Sequence, residues 1–296
     1  MSTEKQGHYQ ILYFSGTGNS EYAALQLRDK LLADGNICDM HAVDVLWAAA
    51  HRAPGIFGDE NLLSARLGDL LKDAAVLVLV YPTYASDIPE PMKEVIPLLP
   101  DVKDVGLVVV STVHAAGGDC CALPLRELEK KGYQPLFAGY IKMPNNFKLP
   151  PLPFPSIKNG DDLKKYFSSV AKEIDFILDK LASGQKYIQG AGLFSCILGV
   201  FQRSGEKFLA RYLYKNMFAD ETCIKCGLCA ASCPMGNITF DKERPKFADN
   251  CCFCLRCYHG CPVSAIQVTA KSKNTKKYPR YKGLKDWEIK RLYENV

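Results

Sequence analysis

A cysteine repeat near the C-terminal end constrains this chain of 296 residues more than any other feature. Nine of its 13 cysteines lie between residues 223 and 261. Eight of them spell C-x2-C-x2-C-x3-C-P twice, with an offset of 28 residues: Cys223, Cys226, Cys229 and Cys233, then Cys251, Cys254, Cys257 and Cys261. Residues 1–10 are polar and contain no apolar signal-peptide core. We therefore expect a cytoplasmic protein in which the clustered cysteines bind metal and do not form disulfides.

This spacing is typical of cysteines that bind iron–sulfur clusters. Three thiolates on one loop hold a 4Fe-4S cluster, and the fourth, turned away by the following proline, reaches the other cluster. We predict that one cluster is bound by Cys223, Cys226, Cys229 and Cys261, and the second by Cys251, Cys254, Cys257 and Cys233. Zinc fits this duplicated pattern poorly, because it usually takes pairs of C-x2-C knuckles with four ligands per ion. Cys252 interrupts the repeat and is left out of the ligand set.

Residues 220–270 resemble the bacterial two-cluster ferredoxin domain, with all eight ligands in place. The resemblance implies a small α+β domain and low-potential, one-electron transfer. The first half places Gly227, Leu228, Ala230 and Ala231 between its ligands. The second half carries Phe253, Arg256, Tyr258 and His259. Because hydrogen bonds and polarity around the sulfurs tune the reduction potential, we expect the two clusters to differ in potential. Such oxygen-sensitive centres also suggest an anaerobic host.

The first two-thirds of the chain alternates strand and helix patterns. Apolar, β-branched runs predict five strands, at residues 8–14, 37–43, 74–81, 105–112 and 134–142. Helical patterns lie at residues 21–33, 61–73, 90–99, 122–131 and 161–182. This order predicts an α/β fold with a doubly wound, five-stranded parallel sheet. Ligands bind beyond the carboxyl ends of such strands, here near Ser15, Pro82, Thr112 and Met143.

The turn after the first predicted strand reads Ser15-Gly-Thr-Gly-Asn-Ser20 and leads into a helix. Backbone N–H groups and hydroxyls at the start of a helix form an anion site. The loop lacks the Gly-Lys-Ser/Thr of a Walker loop, and Glu21 stands where the dinucleotide fingerprint needs its third glycine. Since residues 15–21 contain no Lys or Arg, a single phosphate monoester suits the loop better than a triphosphate.

Residues 8–183 resemble flavodoxins, whose first loop reads Ser/Thr-x-Thr-Gly-Asn-Ser/Thr. The resemblance implies a flavodoxin-like fold with FMN bound at its switch point. It implies phosphate binding by Ser15, Thr17, Gly18, Asn19 and Ser20. It also implies flavin contacts from two further loops: Pro82, Thr83 and Tyr84 in one, and Thr112, His114, Gly117, Gly118 and Asp119 in the other.

Some of these residues have simpler interpretations. Tyr84 could be a packing residue, and His114 could be a loop histidine that faces solvent. The second loop has His114 where flavodoxins usually carry a stacking tyrosine. Cys120 and Cys121 open a helix pattern and are best interpreted as small buried side chains.

The sequence divides into four parts. We predict a flavodoxin-like FMN-binding domain at residues 1–184, an apolar connector at 185–219, the two-cluster domain at 220–270 and a basic tail at 271–296. The connector contains the longest apolar stretch, about half the length of a membrane-spanning helix. It could form helices between the domains or an exposed patch for a partner or a membrane surface. The tail carries nine Lys/Arg and three Asp/Glu. It could be solvated, folded back over the flavin domain or docked to an acidic redox partner.

Together these features predict a fusion that passes electrons between FMN and two 4Fe-4S clusters, to and from unidentified redox partner proteins. The alternative is a flavin-dependent reductase, in which the clusters feed electrons to FMN and a small substrate reacts near Tyr84 or His114. A third hypothesis is an electron-donating accessory of one large enzyme. We expect no nucleic-acid partner and no transmembrane segment.

Overall fold

The computed structural model describes residues 7–51, 60–241, 243–285 and 287–293. The N-terminal part begins with these elements: β1 His8–Tyr13, α1 Asn19–Ala33, β2 Ile37–Ala42, α2 Val43–His51, α3 Glu60–Leu71, β3 Val76–Pro82 and α4 Glu90–Val95. It continues with β4 Val105–Val113, α5 Leu125–Lys130, β5 Tyr133–Lys142, α6 Lys164–Ala182 and β6 Tyr187–Ile188. The C-terminal elements are α7 Leu193–Lys215, β7 Phe218–Ala219, α8 Leu228–Ala231, β8 Ile238–Phe240, β9 Pro245–Phe247, α9 Arg256–Gly260 and β10 Ile266–Gln267.

Strands β1 to β6 form one parallel sheet in the order β2-β1-β3-β4-β5-β6. The order 2-1-3-4-5 is that of the flavodoxin-like doubly wound fold. The sheet has one strand more than the five predicted, because the two-residue strand β6 pairs with β5. The predicted connector, residues 185–219, therefore begins inside the sheet and not beyond it.

Alternate residues of the central strands pack against opposite layers of helices. In β3, Leu77 and Leu79 lie in the core that includes α3 and α4, while Val78 and Val80 lie in the core that includes α1 and α6. Burial of both faces explains why this strand is a continuous apolar run. Each fully buried side chain of this kind stabilises the fold by about 1.5–3 kcal/mol relative to exposure.

Four predicted helices differ in extent from the structure. The helix predicted at residues 90–99 ends at Val95 and continues as a short 3-10 helix, Ile96–Leu98, around Pro97, which cannot donate a backbone hydrogen bond. The helix predicted at 122–131 begins at Leu125, after a series of turns. The connector, whose sequence allows two helices at residues 190–201 and 203–215, forms one continuous helix, α7.

The cysteine-rich segment is built on two short antiparallel ribbons. Strand β7 pairs with β10, and β8 pairs with β9. A third core, with Leu213 of α7, Met217, Tyr258 and Val268, holds this segment together. The second half of α7 thus packs on the cysteine-rich segment.

The tail folds back across the start of α1. Tyr281 is fully buried, and its hydroxyl donates to Oδ1 of Asn19 at 2.6 Å. Further along, the backbone N–H of Tyr293 donates to the carbonyl oxygen of Ala231 at 3.1 Å. The described part of the tail therefore bridges the sheet and the cysteine-rich segment. In the described residues, no helix is both long and apolar enough to cross a membrane.

Candidate functional site

The eight repeat cysteines line two separate cavities, grouped as the crossed pattern predicts. The first cavity is lined by Cys223, Cys226, Cys229 and Cys261. The second is lined by Cys233, Cys251, Cys254 and Cys257. Two cysteines depart from this grouping. Cys257 also lines the first cavity, and Cys252, which is not part of the repeat, lines the second. Each cavity thus takes three thiols from one copy of the repeat and the fourth from the other copy.

Left-handed backbone turns shape the ligand loops. Lys225 (φ 60°), Phe253 (φ 52°) and Leu255 (φ 59°) adopt a conformation that is uncommon for residues other than glycine. Such turns aim backbone N–H groups at the sulfurs. The N–H groups of Asn237 and Ala265 donate to the sulfurs of Cys233 and Cys261, each at 3.2 Å.

Burial makes a free thiolate costly at several of these cysteines. Desolvation raises the pKa of Cys229 and of Cys251 to about 12, and that of Cys233 to about 11. Bound iron offsets this cost, because a cation deprotonates the thiols that coordinate it. Four soft sulfur donors around each cavity, with N–H donors beside them, fit an iron–sulfur cluster.

A third, much larger cavity opens at the carboxyl edge of the sheet. Its volume is about 540 Å³, within the usual range for cofactor sites. Helix α1 begins at Asn19 behind Gly18, which has a left-handed backbone (φ 93°), and no side chain caps the helix. The first N–H groups of α1 therefore suit an anion. The loop is braced internally, since Ser15 Oγ accepts a hydrogen bond from the N–H of Gly18 at 3.0 Å.

Loops after β1, β4 and β5 meet at this cavity. The hydroxyls of Ser20 and Thr112 are hydrogen-bonded at 2.7 Å. The Asn146 amide donates to Thr17 Oγ1 at 2.6 Å. Asn19 donates to the carbonyl oxygen of Pro144 at 3.1 Å. Residues 15–20, called the phosphate loop below, are thus fixed by side-chain and backbone groups more than 90 residues away in the chain.

The structure places most, but not all, of the predicted flavin residues at the large cavity. The residues that line it are Ser15, Thr17, Asn19, Ser20, Pro82, Thr83, Tyr84, Thr112 and His114. Gly18 lies behind the loop against Trp287, whose Cγ would be 2.5 Å from an added Cβ. His114 is exposed to solvent at the cavity and lies 3.3 Å from the carbonyl oxygen of Met143 through Nδ1.

Gly117, Gly118 and Asp119 do not line the large cavity, so the structure does not bring them together with the other predicted flavin residues. Asp119 forms an ion pair with Arg203 of α7 at 2.5 Å. Gly118 lies against Ser86, and Gly117 packs on the ring of Tyr140. This end of the loop turns away from the cavity because it docks the connector helix.

Sequence reasoning missed a wall of aromatic residues. Phe147, Phe154, Phe201 and Phe253 line the large cavity together with Asn145 and Asn146. They come from the loop after β5, from α7 and from the second ligand loop. Only the strand end at Met143 pointed toward this region. The other positions are remote in the sequence and carry no shared motif.

Tyr84 lies where the large cavity meets the second cysteine cavity. Burial raises the pKa of its hydroxyl well above the ordinary value. A Cβ added to Gly16 would lie 2.8 Å from this hydroxyl and 2.6 Å from the carbonyl oxygen of Cys254. Glycine at position 16 therefore lets the phosphate loop and the ligand loop touch.

The C-terminal part of the chain matches a known family. Residues 222–265 match the profile of the 4Fe-4S dicluster domain. Pyruvate synthase subunit PorD of Methanocaldococcus jannaschii is 36% identical over 63 residues, which are 20% of this chain and 72% of that protein. The chain belongs to the 4Fe-4S dicluster family. It holds two 4Fe-4S clusters in this domain, and the flavodoxin-like sheet precedes it.

The other similarities cover only part of this chain, of the related protein or of both. DNA-directed RNA polymerase subunit Rpo3 of Methanosarcina acetivorans is 39% identical over 61 residues, 19% of this chain. The chain spans about a quarter (23%) of the length of that relative. Megasphaera elsdenii flavodoxin aligns with 55% of this chain and 98% of its own, at 16% identity and a TM-score of 0.32. Such a low score carries no weight, so the flavodoxin-like assignment rests on the strand order.

Arg256 connects the dicluster domain with the phosphate loop through hydrogen bonds. Its buried guanidinium donates to the carbonyl oxygens of Ser15 (2.7 Å), Gly16 (3.3 Å) and Ser232 (3.1 Å). It also forms a buried ion pair with Asp44. A single side chain within the second ligand loop thus binds backbone from both parts of the protein.

Proposed function

We propose that this protein transfers electrons between an FMN in the large cavity and its two 4Fe-4S clusters, which exchange them with external redox proteins. The supporting observation is that the three cavities share walls. Phe253, Cys254 and Leu255 line both the large cavity and the second cysteine cavity. Cys257 lines both cysteine cavities. The order is therefore large cavity, second cysteine cavity, first cysteine cavity.

Residues of the first loop are suited to hold the FMN phosphate. Ser15, Thr17, Asn19 and Ser20 line one end of the cavity at the start of α1. The absence of Lys and Arg from residues 15–21 favours one phosphate group. FMN, when bound, exchanges one or two electrons, whereas each cluster exchanges one. Pro82, Thr83, Tyr84, Thr112 and His114 are placed to contact the rest of the cofactor.

The two cysteine cavities are exposed to different degrees. Cys226, in the first cavity, is exposed, whereas Cys254, in the second, is only 9% exposed. We propose that the cluster held by Cys223, Cys226, Cys229 and Cys261 meets the external partner. The cluster held by Cys233, Cys251, Cys254 and Cys257 would then connect it with the large cavity.

Rapid reduction under anaerobic conditions tests this order. We would mix the fully loaded protein with a reduced one-electron protein donor and follow the flavin absorbance. In Cys226→Ser, flavin reduction should slow by at least tenfold, because the exposed relay is impaired. The control is Cys196→Ser, a partly exposed cysteine outside the repeat, which should react at the wild-type rate. An unchanged rate in Cys226→Ser would refute the proposed path.

A second candidate function is reduction of a small substrate beside the flavin. The observation that favours it is the open mouth of the large cavity, where Phe154 is 41% exposed and Phe201 is 79% exposed. Turnover of a quinone or nitroaromatic compound that saturates with concentration, and that falls in Phe201→Ala, would favour this function over a pure carrier.

A further inference from the structure

The first half of helix α7 turns its apolar side chains toward solvent. The exposed fractions are 78% for Leu193, 79% for Phe194, 60% for Ile197, 59% for Val200 and 79% for Phe201. At 3.6 residues per turn, these positions lie within an arc of about 120°. A helix on the surface of a protein normally directs such an arc at the core. Here the arc faces away from it.

Polar contacts on the opposite side of α7 fix this orientation. Arg203 pairs with the buried carboxylate of Asp119 at 2.5 Å and donates to the carbonyl oxygen of Ser86 at 2.7 Å. Gln202 accepts a hydrogen bond from the hydroxyl of Ser86. Rotating the apolar arc inward would break the ion pair and leave a buried charge without a partner, which is strongly destabilising.

The size and polarity of the arc distinguish between possible occupants. Its five side chains offer roughly 600 Å² of apolar surface. A standard protein interface buries about 800 Å² per partner and makes about one hydrogen bond per 100–200 Å². Residues 193–202 contain no charged residue, and the five residues named above are all apolar. This surface is at the low end of the size range of protein interfaces, and it lacks the hydrogen-bonding groups that such interfaces carry, which favours a lipid surface.

The net charge of the segment that contains α7 also favours a membrane surface over a second copy of the protein. Residues 185–219 contain five Lys or Arg and one Glu. Because Asp119 neutralises Arg203, the segment keeps a net charge of +3. A second copy docked through the same helix would bring like charges together, which disfavours self-association. An apolar helical face with basic residues along the segment fits the boundary between headgroups and acyl chains of an anionic bilayer.

We propose that the N-terminal half of α7 docks the protein on the surface of a membrane that contains anionic lipids. Leu193, Phe194, Ile197, Val200 and Phe201 would enter the bilayer boundary, and the helix would lie in the plane of the membrane. Phe201 also lines the large cavity, so the mouth of that cavity would face the membrane. This proposal does not depend on the redox function.

Flotation with lipid vesicles tests the docking. The fully loaded protein is mixed anaerobically with vesicles of phosphatidylcholine and about one-third phosphatidylserine. We expect it to float with these vesicles and to bind pure phosphatidylcholine at least tenfold more weakly. Binding should also fall as salt rises above about 0.1 M, where screening shortens electrostatic attraction.

Two double variants separate docking from general apolar exposure. Phe194→Ser/Ile197→Ser should lose at least 30-fold in vesicle affinity, because two buried side chains leave the bilayer. The control, Leu32→Ser/Ile37→Ser, removes two side chains that are each 47% exposed but lie elsewhere, and it should bind like the wild type. Iron and flavin content check that both variants are folded. Equal loss in both variants, no binding of the wild type to anionic vesicles, or a dimer that the first variant dissociates would overturn the proposal.

Discussion

At the scale of single residues, two positions join the two halves of the protein. Gly16 allows the carbonyl oxygen of Cys254 to approach the phosphate loop, and Arg256 binds the carbonyl oxygens of the same loop. Both contacts connect residues more than 200 positions apart in the chain. Neither position stands out by residue type, since glycine is ordinary in such a loop and arginine is ordinary on a surface.

Gly16→Ala should loosen the contact between the loops. The added Cβ would lie 2.6 Å from the carbonyl oxygen of Cys254, so backbone must shift. We expect a loss of about 1–3 kcal/mol in the free energy of unfolding, measured by urea titration. The control is Gly68→Ala in α3, where an added Cβ meets nothing within 4 Å and alanine favours the helix. Equal stability of the two variants would contradict this explanation.

Arg256→Met should be the more damaging substitution. It leaves the buried carboxylate of Asp44 without its cation, at a cost of about 3–5 kcal/mol. Chemical denaturation measures the change, and Asp44→Asn/Arg256→Met should recover part of it. Arg28→Met serves as the control, because the Arg28–Asp29 pair is accessible to solvent (33% and 54% exposed) and should contribute less than about 1 kcal/mol.

Thr17→Ala tests the phosphate loop itself. Thr17 is buried, lines the large cavity and accepts a hydrogen bond from Asn146. Hydrogen bonds to charged groups contribute about 1.5–3 kcal/mol, so FMN affinity should fall roughly 10- to 100-fold. Fluorescence titration of FMN gives the affinity, and iron content should not change. The control is Ser64→Ala in α3. It removes a hydroxyl that donates to the carbonyl oxygen of Leu98, and it should leave FMN affinity unchanged.

At the scale of elements, α7 has two different halves. Its second half packs on the dicluster domain through Leu209 and Leu213. Its first half is held by polar contacts with Ser86 and Asp119 and presents an apolar face to solvent. The helix therefore serves as an internal wall at one end and as an outer surface at the other.

Arg203→Ala should release the first half of α7. The ion pair with Asp119 is mostly buried, and removing the arginine leaves that carboxylate uncompensated. We expect faster hydrogen exchange at residues 193–205, read by mass spectrometry, and a modest loss of stability. Lys164→Ala breaks a fully exposed pair with Asp161 and should change neither quantity. Protection that persists in Arg203→Ala would mean that other contacts hold the helix.

At the scale of the whole molecule, the two domains share one interior. Cys254 lines the second cysteine cavity and also packs in a core cluster of the sheet. The tail closes the arrangement from the other side, with Tyr281 buried against Asn19 and Tyr293 bound to Ala231. We therefore expect the large cavity to be coupled more strongly to the second cysteine cavity than to the first.

Two ligand variants measure this coupling. Cys226 lines the first cysteine cavity, which shares none of its described lining residues with the large cavity. We expect Cys226→Ala to lose about half of roughly eight irons per chain while FMN affinity stays unchanged. Cys254→Ala should also remove about half of the iron. It should in addition weaken FMN binding several-fold, because residues 253–255 line the large cavity. Anaerobic reconstitution with iron and flavin assays gives both numbers. Equal FMN affinity in the two variants would mean that the domains act independently.

The amino-acid sequence alone indicates what chemistry each site can perform. Cysteine spacing indicates two clusters and their crossed ligands, and a short glycine- and hydroxyl-rich loop indicates a phosphate site, because both depend on residues close together in the chain. The positions of five strands and of most helices follow from apolar periodicity, whereas the order of the strands in the sheet does not. Packing in three dimensions determined which residues meet across long separations. It turned Gly117, Gly118 and Asp119 toward α7, brought Phe147 and Phe201 to the large cavity and placed Arg256 against Ser15. Such contacts arise from packing between distant segments, and no local pattern records them.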